Sequence, residues 1–158
     1  MGDYIYPAPG VTGSEVTCTL DVNANGSDAG LALAGLQDMT INAANDIFSW
    51  EQLDEAAKKQ IATTSTNSVS MNLVVNQTEF FGTGAATDTA AGLGVFGMSK
   101  NKTKIGFSIF LGKEDDGSAG KTVTGVGFIT GLAPTVSASE PVWITPITVT
   151  VDGDYTVS

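Results

Sequence analysis

The chain has no histidine and no arginine, and its seven basic residues, Lys58, Lys59, Lys100, Lys102, Lys104, Lys113 and Lys121, are all lysine. Without imidazole, the Ser-His-Asp and Cys-His catalytic sets are impossible, and zinc would have to rely on one thiol and carboxylates. Without guanidinium there is no planar fork for bidentate reading of guanine or phosphate, and a net charge of −10 opposes a polyanion at contact distance. Sequence-specific nucleic-acid binding is not expected. Cys18 is the only cysteine, so no disulfide closes within a chain and the cysteine-rich secreted scaffolds are excluded. No segment approaches the roughly 20 apolar residues of a membrane span, and Met1-Gly2-Asp3-Tyr4 lacks the basic stretch and apolar run of an export signal.

Charge of either sign is scarce. Charged residues make up 15% of the chain, against about 25% in typical soluble domains. The surface must therefore be largely Ser, Thr, Asn, Gly and Ala, without the like-charge repulsion that keeps free monomers apart, and this favours extensive contacts between subunits. At 158 residues and 42% hydrophobic content there is material for one core, so residues 1–158 read as a single domain with extensions.

The apolar residues that are present alternate. Glu15 to Val22 places Val16, Cys18, Leu20 and Val22 on one face and Glu15, Thr17, Thr19 and Asp21 on the other, which makes Cys18 a buried small hydrophobe. Val69, Met71, Leu73 and Val75 alternate with Ser68, Ser70 and Asn72, and Ile105, Phe107, Ile109 and Leu111 with Lys104, Gly106 and Ser108. Met39–Ala43, Thr122–Thr130 and Trp143–Val151 read as further strands, and Asp152-Gly153 is a hairpin turn signal before Tyr155–Ser158. The expected fold is mainly β, an antiparallel sandwich or barrel. One helix is expected over about Trp50 to Ile61, opened by the capping box Ser49-Trp50-Glu51-Gln52, with Trp50, Leu53, Ala57 and Ile61 as its buried stripe.

Three segments fall outside this regularity. Residues 1–13, with Pro7, Pro9, Gly10 and Gly13, read as an extended arm that presents Tyr4 and Tyr6 for docking. Residues 23–38 read as a long loop whose Leu31, Leu33 and Leu36 pack either against another subunit or back on their own domain. Residues 81–100 read as a flexible excursion or hairpin arm, with Leu93 and Phe96 as contact area. Within it Gly92-Leu93-Gly94-Val95-Phe96-Gly97 matches a dinucleotide fingerprint, but an Ala/Thr/Gly-rich loop precedes it where a strand is required, so no cofactor is expected. Lys100, Lys102 and Lys104 alternate as if along one strand face and read as edge protection or partners for a neighbour's carboxylates. Glu114-Asp115-Asp116-Gly117 and Asp152-Gly153-Asp154 lack the spacing of a calcium loop and read as acidic turns, so no metal is expected.

Taken in order from Ser68 on, the Ser/Asn/Val strand, the Gly-rich stretch, Lys104–Leu111, Lys121-Thr122-Val123-Thr124-Gly125-Val126-Gly127-Phe128-Ile129-Thr130-Gly131-Leu132-Ala133-Pro134-Thr135 and the last strand with its Asp-Gly turn resemble the major tail tube proteins of long-tailed phages. The resemblance implies a non-enzymatic virion protein without cofactors, assembled in a host cytoplasm. Its subunits form stacked hexameric rings whose inner strands join in a continuous barrel, a conduit through which DNA passes without sequence-specific binding. It implies as partners other copies, a tape measure, a tail terminator and a sheath, and no membrane. Residues 1–13 and 23–38 would be ring-stacking elements and residues 81–100 would either stack or lie outside the tube, giving Tyr4, Tyr6, Leu31, Leu33, Leu36, Leu93 and Phe96 as the candidate interface. The acidity suggests a lumen with surplus carboxylates that repels DNA. Two other readings stay open: another virion β-protein, such as a capsid decoration or tail fibre subunit, and a secreted carbohydrate-binding β-sandwich using Trp50, Trp143 and the aromatics of the arm.

Overall fold

The computed structural model describes residues 4–8, 15–22, 30–114 and 120–158. The elements are β1 (Ile5–Tyr6), β2 (Thr17–Asp21), β3 (Leu31–Ala32), β4 (Leu36–Trp50), β5 (Lys59–Val74), α1 (Gln77–Phe81), α2 (Ala90–Lys100), β6 (Ile105–Phe110), β7 (Lys113–Glu114), β8 (Thr122–Leu132), β9 (Thr135–Ser137), β10 (Glu140–Val151) and β11 (Thr156–Val157). β1 and β7 form a small ladder, and the other nine strands form one antiparallel sheet in the order β3-β2-β6-β8-β10-β5-β4. β11 lies beside β8, and β9 beside β10.

Period-two alternation builds the core. Val69 and Met71 of β5 face Val149 and Ile147 of β10 across the ladder register, and Leu73 continues the same strand face of β5 opposite Thr145. Val69, Met71, Leu73, Ile147 and Val149 are all buried, as are Cys18, Leu20, Ile105 and Ile109. Such side chains each contribute about 1.5–3 kcal/mol relative to exposure.

The sheet turns a corner at Gly127, which pairs with Ile105 of β6 on one edge and with Val151 of β10 on the other. Before this residue β8 belongs to a half-sheet with β6, β2 and β3. After it β8 belongs to a second half-sheet with β10, β5 and β4. A side-chain carbon at position 127 would run into the carbonyl oxygen of Thr150, so the close approach of β8 and β10 requires glycine.

The two ends of this bent sheet meet. β3 and β4 lie at opposite ends of the strand order, yet only Leu33-Ala34-Gly35 separates them in sequence, a reach of about 10 Å. The Leu33 amide donates to the Cys18 carbonyl (2.9 Å) and the Val74 amide to the Gly35 carbonyl (2.8 Å), tying this link to both halves. No ladder joins β3 to β4 among the described residues, so the sheet curls around its core without closing into a barrel.

Four expectations are corrected. No helix runs from Trp50 to Ile61. Trp50 ends β4 and Lys59 begins β5, and Glu55 in the connecting turn pairs with Lys59 at 2.9 Å. Residues 81–100, read as a flexible excursion, instead carry the end of α1 and all of α2. Thr89 caps α2 by accepting from the Gly92 amide at 3.1 Å, and Asn76 caps α1 by accepting from the Thr78 amide at 2.9 Å. Ala90, Val95 and Met98 put α2 into the core. The segment 23–38 is only partly loop, since Leu31–Ala32 pairs with β2 and β4 starts at Leu36, while residues 23–29 lie outside the described residues. The strand after Asp152-Gly153 is present, but it pairs with β8 rather than folding back on β10.

Candidate assembly surfaces

The β4–β5 hairpin outgrows the domain. From Leu36 to Asn42 it lies over the core, and from Ala43 to Trp50 it continues paired with Lys59–Asn67 while nearly every residue is exposed on both faces. Eight residues at about 3.3 Å each carry it some 26 Å beyond its root. Among the described residues its apolar side chains are left largely uncovered: Ile47 is 62% exposed, Phe48 60%, Ile61 55%, and Leu53 stands fully exposed. Phe48 and Trp50 stack at 6.0 Å. A two-stranded ribbon is marginal in water unless one face is covered. Reading Trp50, Leu53 and Ile61 as a buried helical stripe hid this surface, and the Thr/Ser run Thr63-Thr64-Ser65-Thr66 leading into Val69 is the signal that marks it as strand.

Two sheet edges are also open. Among the described residues nothing pairs with the outer edge of β4 along Leu36–Trp50. On β8, the edge that pairs with β6 through Gly127 has no partner strand among the described residues from Phe128 to Leu132. Such edges present rows of unpaired backbone groups that template the pairing of another chain.

The candidate residues divide into two sets. Tyr4 and Tyr6 are exposed and meet edge to face at 6.2 Å. Phe96 is 44% exposed and packs 5.7 Å from exposed Phe81, with Leu93 half-buried in the same helical layer. Leu36 is half-buried at the start of β4. Leu31 and Leu33, in contrast, are buried in the subunit's own core and offer no area to a neighbour in this conformation. A groove of about 730 Å³ lies where the curled sheet fails to close, lined by Pro7, Val16, Leu36, Met39, Ile41 and Leu111, with Glu15 and Asp38 at its rim.

Lys100 ends α2, Lys102 adopts positive φ, and Lys104 pairs with Asp152 at 2.7 Å, so these lysines form no extended stripe. Asp154 accepts from the Tyr155 amide at 2.8 Å and from Asn67 at 3.4 Å in an ordinary acidic turn. The Glu114-Asp115-Asp116-Gly117 turn lies largely outside the described residues. Among the described residues no three acidic or thiol groups gather as a metal site, and no helix is long and apolar enough to cross a membrane. Gly94 (φ 69°) kinks α2 against Gly82 and Phe80, so the GxGxxG pattern serves helix packing. Burial pushes the Cys18 thiol up to about 12, leaving it a neutral core group.

No family model matches the chain, and no curated protein matches it in sequence. Solved structures do match it. The tail of an empty gene transfer agent particle, determined with C6 symmetry, superposes with a TM-score of 0.62 at 14% identity, over 89% of this chain and 94% of that one. The tail tube of SPP1 matches with a TM-score of 0.65 at 10% identity, over 94% and 78%. The sheath–tube complex of an extracellular contractile injection system matches with a TM-score of 0.60 at 15% identity, over 97% and 92%. At these identities the likeness establishes a shared fold, and the chain has the fold of these tail and tube proteins.

Proposed function

We propose that this chain is a structural tube subunit: copies close into rings, and the rings stack into a conduit for DNA in a phage or phage-like particle. The observation that carries the reading is the β4–β5 hairpin, which holds its strand pairing some 26 Å from the core while exposing Ile47, Phe48 and Leu53. A ribbon of this kind is stable when neighbours cover it, and a surface with few ionised groups suits such neighbours. The shared fold supplies the form of the assembly, since the gene transfer agent tail is six-fold symmetric. Six subunits per ring is accordingly the expected number here. The chain needs no chemistry of its own in this role.

The partners extend the same reading. A sheath around the tube and a terminator at its end are expected where the particle is contractile, because related folds occur in a sheath–tube complex and in a sheath/tube terminator. Tyr4, Tyr6, Phe81 and Phe96 are the exposed aromatics that such neighbours, or the next ring, would cover.

The test is electron microscopy of the purified chain at rising concentration, supported by sedimentation velocity. Hexameric rings or tubes are expected. A species that stays monomeric at every concentration overturns the reading, and trimers would point to a fibre or decoration subunit.

A further inference from the structure

We propose that residues 152–158 are a latch on the β4–β5 hairpin: docked, they hold the hairpin in line with the body, and undocked, they let it pivot about Asn42 and Ala43 while the core stays folded. The latch rests on the tube reading for its consequence, which is to fix the hairpin's direction before a neighbouring copy covers it.

The latch is built from a strand that breaks step at the corner of the sheet. β10 and β11 run the same way along β8, with Val151 opposite Gly127 and Thr156 opposite Thr124. Asp152, Gly153, Asp154 and Tyr155 therefore oppose only Gly125 and Val126. Once the Asp152 amide has donated to the Val126 carbonyl (2.7 Å), the surplus stands out of the ladder as a bulge, the device by which a strand passes from one half-sheet to the other. This bulge meets the hairpin where it leaves the body. The last rung that joins β5 to β10 is Ser68–Thr150, and the next residue outward, Asn67, sits opposite Ala43 of β4. Asn67 is polar yet only 3% exposed, and its side-chain amide donates to the Gly153 carbonyl at 3.0 Å and toward the Asp154 carboxylate at 3.4 Å. Tyr155 adds its hydroxyl, shared between the Asn42 and Ser68 carbonyls. Asn42, Asn67 and Ser68 are thus all fastened to the bulge, and beyond them β4 is the one strand that borders β5 among the described residues.

The fastening at the other end of the latch is slight. β11 is two residues long with both side chains exposed, and it is held by two rungs to β8, by the exchange of amide and carbonyl between Thr122 and Ser158, and by the Thr124 hydroxyl on the Thr156 carbonyl (3.3 Å). A segment that buries so little apolar surface opens well below the free energy of global unfolding. Asp152 is tied to Lys104, but that pair is about half exposed and holds weakly. At Gly153 nothing lies within contact distance of an added side-chain carbon, so the bulge has room to rearrange. The bonds to Asn42, Asn67 and Ser68 and the rungs of β11 share one short run of chain, and loss of either set withdraws support from the other. A docked latch delivers the hairpin to a neighbour already aligned, which lowers the ordering cost of each addition to the assembly. An undocked one spreads Phe48 and Leu53 over a wide arc, and addition slows.

The experiment uses full-length chain kept below the concentration at which it assembles. Spin labels at Leu53→Cys on the hairpin turn and Thr17→Cys on β2, both exposed positions, give a distance distribution by double electron–electron resonance, and buried Cys18 takes no label. A narrow distribution is expected for this labelled parent. Asn67→Ala removes the donor to the bulge, and Thr156→Pro cannot donate to the β8 ladder, so the two attack the latch from opposite sides. Each should broaden the distribution and speed amide exchange at Ala43 and Ser68 by roughly two- to tenfold, the worth of one net hydrogen bond, with Ile109 unchanged. Unlabelled, both variants should form tubes more slowly than wild type. Thr156→Pro decides alone if Asn67→Ala fails to fold. A broad distribution in the parent, variants as narrow as the parent, or exchange that quickens equally at Ile109 overturns the latch. Tube growth at the wild-type rate overturns its aligning role. Broadening in the variants with no tubes from wild-type chain leaves the latch standing and overturns the tube reading.

Discussion

The Tyr155 hydroxyl lies 2.6 Å from the Asn42 carbonyl oxygen and also donates toward the Ser68 carbonyl at 2.9 Å. Asn42 and Ser68 face each other across the β4–β5 ladder at the place where it leaves the core. The same tyrosine ring packs edge to face on Phe107 of the other half-sheet, at 6.3 Å. A residue near the C-terminus thus pins the root of the projecting hairpin to the body.

Tyr155→Phe keeps the ring contact and deletes the pin. The expected loss is on the order of 1 kcal/mol, the net worth of a hydrogen bond whose acceptors are left partly buried. Urea denaturation of the free subunit measures it, and amide exchange should quicken around Asn42 and Ser68 more than at Ile109.

Gly127→Ala tests the corner. The added methyl meets the Thr150 backbone, which gives way only if β8 and β10 separate. Overpacking of this sort costs about 1–3 kcal/mol. Gly153→Ala is the matched control for space, since nothing lies within contact distance there and only its positive φ resists. Thermal unfolding should place Gly127→Ala below both wild type and the control.

The core was legible in the sequence, and the assembly surfaces were partly hidden by the same rules. Val69-Met71-Leu73 and Ile105-Phe107-Ile109 alternate because each strand has one dry face, and all six are buried where alternation puts them. Trp50, Leu53 and Ile61 misled because helical spacing is evidence of a buried stripe only when the subunit buries its own apolar residues, and these three are left exposed. Gly92, Gly94 and Gly97 misled in the opposite sense. Each costs a helix about 1 kcal/mol, yet Gly92 lets the chain approach the Ala86 carbonyl and Gly94 fits against Gly82, and single-sequence reasoning sees the cost without the packing that offsets it. The open edges of β4 and β8 depend on strand order, which local pattern does not encode.

Cys18 predicts an alkaline weakness. Its thiol ionises near 9.0 when free and is pushed up to about 12 by burial. A folded pKa above the unfolded one means that the unfolded chain releases its proton first as pH rises. Stability is therefore intact below pH 9 and declines between 9 and 12, by at most about 1.4 kcal/mol per pH unit. Tyr155, raised from 10.0 chiefly by desolvation, adds to the loss above pH 10. Urea midpoints measured from pH 7 to 10.5 should fall steadily for wild type and less steeply for Cys18→Ala. At neutral pH the native thiol should resist maleimide and react once the chain is unfolded.

Hairpin substitutions should separate folding from assembly. Phe48→Ser and Ile61→Ser occupy facing register positions beyond the core, where each side chain is more than half exposed. Surface changes away from packed features usually stay within about 0.5 kcal/mol, so the free subunit of either variant should unfold close to wild type. If the hairpin's apolar residues are covered by a neighbouring copy, the same changes remove contact area from every interface of a repeating assembly. The loss then multiplies along the tube, and the double variant should remain a folded monomer at concentrations where wild type sediments as tubes. Sedimentation velocity beside a urea curve reads both quantities on one preparation. Tubes of normal length from the folded double variant would remove the hairpin from the contacts that build the conduit.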